Sequence, residues 1–290
     1  MFNDLHPLLA PKTIAVVGAS RTPGKVGYVV LNNLVTGGFE GKIIPVNPQA
    51  ADILGQPCVK SLSAAGEPID LAVIVVPVKD VLGVVEDAVN AGVKAIAVIT
   101  VGFGEAGDEG KRIEREMADR CAAAGIHILG PNCLGLINTE RKMNASFAQQ
   151  MPDFGGISVI SQSGALCTAI LDMAAGRGLG LAKLISMGNK ADLCESALLP
   201  VLAADPQTKV IACYLENIKR GVEFIRAGEA AGDMKPVVVL KAGSTSAGAR
   251  AAKSHTGQLA GGEAAYSAAF RRAGMIRAEN FEQLFDITIA

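Results

Sequence analysis

Tryptophan is absent, and three tyrosines and nine phenylalanines leave the chain poor in aromatics, while 33 glycines stand among its 290 residues. Little aromatic bulk and abundant small residues suit α/β layers with close helix–strand contacts. Neither sign of charge dominates: 27 basic residues face 28 acidic ones, for a net charge of −1. Nothing in that balance points to nucleic acid or a membrane surface as a partner. The six cysteines form no Cys-x-x-Cys pair, so neither a disulfide framework nor a metal site is indicated. Apolar runs such as 71–76 are too short to span a bilayer. No signal-peptide pattern opens the sequence, and a cytoplasmic location is expected.

What is present is an alternation of strand and helix signals, long enough for two domains. Thr13 to Val17 reads as a buried strand ending at Gly18, followed by a helical pattern to about Thr36. Further strands are expected at Lys42 to Val46, Leu71 to Val76, Ala95 to Thr100 and His127 to Leu129, with helices at Val78 to Ala91 and Glu109 to Ala124. This spacing predicts a parallel sheet covered on both faces, of the nucleotide-binding kind. Residues 138–154 read as an irregular connection. The pattern then restarts, with strands at Ile157 to Ile160, Ala182 to Ser186, Val210 to Leu215 and Val237 to Leu240. A flavodoxin-like domain of about five parallel strands follows from it.

In such sheets ligands bind beyond the carboxyl ends of the strands. The first turn carries Gly18, Ser20, Gly24 and Gly27, which permit close backbone approach, with Arg21 and Lys25 beside a helix N-terminus. An NAD site calls for Gly-x-Gly-x-x-Gly and an acidic residue closing the second strand. Here the turn reads Gly18-Ala19-Ser20 and the strand ends Val46-Asn47-Pro48, so NAD is disfavoured. A phosphate-rich ligand such as coenzyme A fits the basic residues better, although either side chain could simply be solvated. After the fifth strand, Gly130-Pro131-Asn132-Cys133-Leu134-Gly135 sets a tight turn at the sheet edge. Cys133 there is either a nucleophile or a small buried apolar residue.

In the second half, Ser161-Gln162-Ser163-Gly164 joins a strand to a helix, as an anion site or an ordinary serine cap. Glu216 closes a strand on the same edge. A small-residue loop, 243–262, contains Lys253-Ser254-His255-Thr256-Gly257. Its histidine is either a surface residue or a nucleophile that carries a phosphoryl group, with a carboxylate to orient the imidazole.

Taken in order, five stretches resemble the nucleoside-diphosphate-forming acyl-CoA synthetases (acetate–CoA ligase, ADP-forming, and relatives), and more distantly the succinyl-CoA synthetase α subunit. They are Val17-Gly18-Ala19-Ser20 with Pro23 to Gly27, Val46-Asn47-Pro48, Gly130 to Gly135, Ser161 to Gly164 and Lys253 to Gly257. The resemblance implies that residues 1–130 form a Rossmann-like CoA-binding domain, 131–154 a connection, and 155–290 a flavodoxin-like, succinyl-CoA-synthetase-like domain. It implies coenzyme contacts at Gly18, Ser20, Arg21, Gly24, Lys25, Val46, Asn47, Pro77, Asn132 and Cys133. It further implies that His255 is a transient phosphohistidine, oriented by Glu216, and that Ser161, Ser163 and Gly164 receive the phosphate.

The family reaction converts acyl-CoA, phosphate and ADP reversibly to carboxylic acid, CoA and ATP. An acyl phosphate and the phosphohistidine are its intermediates. ATP or ADP with Mg binds an ATP-grasp (β-type) domain, and no such domain can be read in this chain. A separate subunit or the rest of a longer protein is therefore expected to supply it, within an oligomer. The alternative is a regulatory CoA-binding module of a larger protein such as a protein acetyltransferase. His255 within an intact loop motif favours catalysis.

Overall fold

The computed structural model describes residues 5–243 and 262–290. The chain divides into two compact units. One holds the residues up to Pro152 together with Ser186–Leu193, the other Asp153–Ile185 with Cys194–Ala290.

The first unit opens with a short helix, α1 (His6–Leu9), then β1 (Thr13–Val17), α2 (Val26–Thr36) and β2 (Lys42–Val46). A small ribbon of β3 (Asp52–Ile53) and β4 (Gln56–Pro57) precedes β5 (Leu71–Ile74), α3 (Val78–Asn90), β6 (Ala95–Val98), α4 (Asp108–Ala124) and β7 (His127–Leu129). The sheet order is β2-β1-β5-β6-β7, with every neighbouring pair parallel. Numbered along the chain this is the 2-1-3-4-5 order of doubly wound sheets, which changes direction between its first and third strands. Strands β5 and β6 are buried at every position. They consequently read as unbroken apolar runs rather than alternating ones. Helix α3 presents Val81, Val85 and Ala88 to this core, spaced four and three residues apart along one stripe.

The edge strand β7 does not lie open. Residues 189–193 run alongside it: Asn189 N donates to Pro131 O (2.9 Å), Ala191 N to Gly130 O (3.0 Å) and Leu193 N to Ile128 O (3.1 Å). Asp192 Oδ2 accepts from Ile128 N at 2.9 Å and lies 3.3 Å from His127 Nδ1. A polar, irregular segment thus satisfies a strand edge that could otherwise template association.

The connection expected to be irregular is partly ordered as a hairpin, β8 (Gly135–Asn138) with β9 (Met143–Ser146), paired antiparallel. All eight residues are buried, including Asn138, Asn144 and Ser146. Their polar groups are satisfied internally: Ser146 Oγ donates to Asn144 Oδ1 (2.6 Å) and Asn138 Nδ2 to Leu9 O (2.8 Å). Buried polar side chains erased the hydrophobic alternation by which the hairpin would have been read.

The second unit contains β10 (Phe154–Ser161), α5 (Gly164–Arg177), β11 (Leu181–Ser186), α6 (Glu195–Ala204), β12 (Val210–Leu215), α7 (Gly221–Gly232) and β13 (Val237–Lys241). After residue 262 come α8 (Glu263–Arg272), β14 (Ile276–Ala278) and α9 (Phe281–Ile289). The strand order β11-β10-β12-β13-β14 again reads 2-1-3-4-5, and the pairs β10–β12, β12–β13 and β13–β14 are parallel. Three-residue β14, interrupted by Arg277, was not visible in the sequence. Phe224 of α7 and Phe270 of α8 meet edge to face at 5.8 Å in the layer over the sheet.

Opposite the carboxyl edge, the unit buries an ion pair. Lys183 Nζ donates to Asp205 Oδ2 at 2.6 Å, with the two side chains only 5% and 15% exposed. Thr208 adds its amide (3.0 Å) and its hydroxyl to the same carboxylate oxygen. Burial alone would raise the Asp205 carboxyl, but the Lys183 and Thr208 hydrogen bonds hold it below its usual value. A depressed carboxyl contributes stability above its unfolded pKa and loses it as pH falls through the folded one. Asp205→Asn is therefore expected to lower the unfolding free energy by about 3 kcal/mol at pH 7. In urea titrations across pH the gap to wild type should persist down to about pH 5 and shrink below about pH 4; a gap independent of pH would contradict the pair.

Candidate functional site

A cleft of about 970 Å³ opens in the first unit beyond the carboxyl ends of β1, β2 and β5. It lies where the strand order reverses, between β1 and β5, the place at which doubly wound sheets bind ligands. Its floor is glycine. Gly18 has φ +91° and closes β1, with its amide donating to Val46 O at 3.1 Å. Gly27, in the first turn of α2, is packed so tightly that a Cβ would come within 2.0 Å of Gly18 O. The helix start can therefore approach the strand end only without side chains. Ser20 Oγ accepts from Thr22 N (3.0 Å) and Asn47 Nδ2 donates to Ala19 O (2.8 Å), so the turn is held in shape from within the chain.

Lys25 occupies the N-cap of α2 in an extended conformation and contributes no side-chain cap bond. The first amides of α2 have no intrahelical acceptor and lie at the positive end of the helix dipole. With Lys25 lining the cleft beside them, the turn can take a phosphate.

Of the residues marked in the sequence, Gly18, Ser20, Gly24, Lys25, Val46, Asn47 and Pro77 line this cleft together. Three others do not. Arg21 turns to Asp52, its Nε donating to the carbonyl at 3.0 Å and its guanidinium 3.8 Å from the carboxylate. Cys133 is buried, with Sγ donating to Val98 O at 3.3 Å. Asn132, in the left-handed region at φ +56°, donates from Nδ2 to Asn189 Oδ1 at 3.2 Å. Asn189 in turn donates to Glu105 (2.6 Å) and Glu114 (2.8 Å), an amide shared by two carboxylates above β6 and β7. Sequence reasoning missed Gln49, Lys60, Ser61, Asp80 and Asp87, which also line the cleft. Residues 48–63 show no apolar periodicity, so nothing local tied them to the strand ends.

The second unit has a site at its own reversal, between β10 and β12. Ser161 ends β10 and Ser163 caps α5, its Oγ accepting from Leu166 N at 3.3 Å. Ser161 Oγ accepts from Ser163 N (3.1 Å) and donates to Ser163 O (2.9 Å), closing the turn before Gly164. Between them Gln162, almost fully buried, accepts on Oε1 from Glu216 N (2.7 Å) and Asn217 N (3.0 Å). One amide thus fixes the residue after β12 beside the start of α5. Burial raises the Tyr214 phenol, and the nearby Glu216 charge adds to that rise. One strand further on, Lys241 ends β13 with its ammonium buried, 4.6 Å from the Tyr266 ring centroid. Burial lowers that ammonium, while the charges of Glu263 and Glu216 work against the fall. Neither Gln162 nor Lys241 was given a role in the sequence: Gln162 stands only as the spacer between two serines, and Lys241 ends an otherwise ordinary apolar strand.

His255 and most of the loop 243–262 lie outside the described residues. Among the described residues no group of three or more His, Cys, Asp or Glu could hold a metal ion. No helix among them is long and apolar enough to cross a membrane.

Residues 12–139 match the model of a CoA-binding domain, and residues 154–290 that of a succinyl-CoA ligase-like flavodoxin domain. The chain is 46% identical over 285 residues to acetate–CoA ligase [ADP-forming] I of Archaeoglobus fulgidus, covering 98% of this chain and 41% of that protein. Against the α subunit of acetate–CoA ligase [ADP-forming] I of Pyrococcus furiosus it is 41% identical over 287 residues, covering 98% and 62%. Among solved structures, the dinucleotide-forming acetyl-coenzyme A synthetase 1 of Ca. Korarchaeum cryptofilum, in complex with phosphate and ADP, superposes with a TM-score of 0.95 at 43% identity. That match covers 99% of this chain and 62% of the other. The chain thus spans about two fifths to three fifths of the length of these relatives.

The cleft floor supplies a test. Gly27→Ala should cost more than about 2 kcal/mol, because the added methyl meets backbone rather than a movable side chain. Gly24→Ala has open space around its Cβ and should cost only about 1 kcal/mol, from φ +82°. Urea unfolding of the two variants checks the order; equal losses would show that the close approach at Gly27 is not required.

Proposed function

The chain belongs to the family of ADP-forming acyl-CoA ligases, in the region related to their α subunits, and on that premise we propose that it is the coenzyme-binding and phosphohistidine-bearing part of such a ligase. The reaction is reversible: acyl-CoA, phosphate and ADP on one side, carboxylic acid, CoA and ATP on the other. Phosphate attacks the acyl thioester and releases CoA. The resulting acyl phosphate passes its phosphoryl group to the imidazole of His255, releasing the acid, and the phosphohistidine then phosphorylates ADP. That last step requires an ATP-grasp domain holding ADP and Mg²⁺, on a partner subunit or a fused segment. Phosphoryl transfer rests mainly on positioning and on groups that stabilise charge.

The observation that carries this reading is the arrangement around Gln162. Its side-chain oxygen holds the backbone amide of Glu216 beside the turn that opens α5, which supports a carboxylate for an imidazole near donors for a phosphoryl group. An exposed helix terminus contributes about 0.3–1 kcal/mol toward an anion, enough to seat a phosphate but not to drive transfer alone. Lys241, on the next strand, adds a cation to the same edge. The Gly18–Gly27 cleft suits coenzyme A: it admits backbone against phosphate, and its wall carries apolar groups of Val75, Val76 and Val84. Coenzyme A supplies the thiol that leaves or attacks. No disulfide joins any of the six cysteines, all of which lie among the described residues, which agrees with a reducing, cytoplasmic setting.

Incubation with acetyl-CoA and labelled phosphate should give an acid-labile phosphoprotein. His255→Asn is expected to abolish the label while leaving coenzyme A affinity within about twofold. Gln162→Leu, which frees the Glu216 amide, should slow labelling by about 10–100-fold, consistent with loss of positioning. Label retained in the His255→Asn protein would overturn the assignment.

A further inference from the structure

Phosphate at the first turn leaves a second basic group in the cleft without a role. Lys60 lines the same wall as Asn47, and the backbone fixes it there. Val59 bridges in parallel to Val46, its amide donating to Pro45 O at 3.0 Å and its carbonyl accepting from Asn47 N at 2.9 Å. Lys60 is the next residue, so it stands beyond the carboxyl end of β2, one strand from the turn that bears Lys25. In doubly wound sheets that bind dinucleotides the end of the second strand meets the adenosine ribose: an acid there binds free hydroxyls, and a basic residue there accommodates a ribose phosphate.

This chain has no acid at that point. Asn47 does not substitute for one, because both ends of its amide are engaged, Nδ2 with Ala19 O and Oδ1 with Gln49 N at 2.8 Å. Among the described residues Lys60 makes no ion pair. The cleft also holds two carboxylates. Asp87 is committed to the turn at 62–63, accepting from Leu62 N (2.6 Å) and Ser63 N (3.1 Å). Asp80 lies in the first turn of α3, on the β5 side of the cleft.

We propose that Lys60 recognises the phosphate monoester on the adenosine ribose of coenzyme A, while Lys25 and the start of α2 hold the diphosphate. The proposal rests on the reading of the cleft as a coenzyme A site and goes beyond it. It makes the cleft discriminate coenzyme A from its dephosphorylated form, which shares every other group. It divides the two lysines by function: one reads a feature unique to this coenzyme, the other a feature common to most nucleotides.

Calorimetric titration of the full chain with coenzyme A and with 3′-dephospho-coenzyme A tests this in three proteins. Wild type should bind coenzyme A about tenfold more tightly, the size of an exposed charge-assisted contact. Lys60→Met should bring the two ligands to near parity by weakening coenzyme A alone. Lys25→Met should weaken both about equally and preserve the ratio. A preference that survives Lys60→Met, or an equal loss for both ligands in that variant, overturns the role of Lys60. If wild type binds neither ligand, the coenzyme reading of the cleft itself falls.

Discussion

The approach of α2 to the end of β1 is the constraint on which the first unit's chemistry depends. A helix can offer its opening amides to a ligand only if nothing stands between them and the strand end. Here the separation admits no Cβ at Gly27, and the strand must turn away at a positive φ that only glycine adopts readily. Once those two positions are glycine, the rest follows from topology. Parallel strands deliver all their carboxyl ends to one rim, and the reversal of strand order opens a gap on it. The second unit solves the corresponding problem differently, using serine hydroxyls and a buried glutamine where the first uses absent side chains.

Both units share the 2-1-3-4-5 order, so both reversals fall between the first and third strands. That places Gly18 and Ser161 in equivalent positions, each closing a first strand ahead of a helix. The same rim receives different equipment in each case. Lysines and glycines at the first suit a bulky polyanion that lies against backbone. At the second stand a capped helix start, a glutamate whose backbone amide is held by Gln162, and a buried lysine.

Much of this was legible because buried parallel strands have a strong signature. Ile14 to Val17 and Ala95 to Val98 are unbroken apolar runs, and Gly18 directly follows the first. Where the signature fails, the cause is physical. The β8–β9 hairpin buries Asn138, Asn144 and Ser146 by satisfying them with one another and with backbone, so it carries no apolar pattern. Strand β14 is short and contains an arginine. Lys60 and Gln162 owe their placement to pairings with residues distant in sequence, Lys60 through its neighbour Val59, and no local pattern encodes such partners. The departures of Arg21 and Cys133 from the cleft have the same origin: Asp52 and Val98 claim them.

The strip of residues 189–193 along β7 has a consequence for how the protein is made. Its amides complete β7, the edge strand of the first unit's five-stranded sheet, yet they are translated only after β10, α5 and β11 of the second. A nascent chain leaving the ribosome therefore cannot finish its first unit before it has begun the other. Synthesis order and structural order are interleaved, and the β7 edge stays unpaired during the interval in which a nascent chain is most exposed to neighbours.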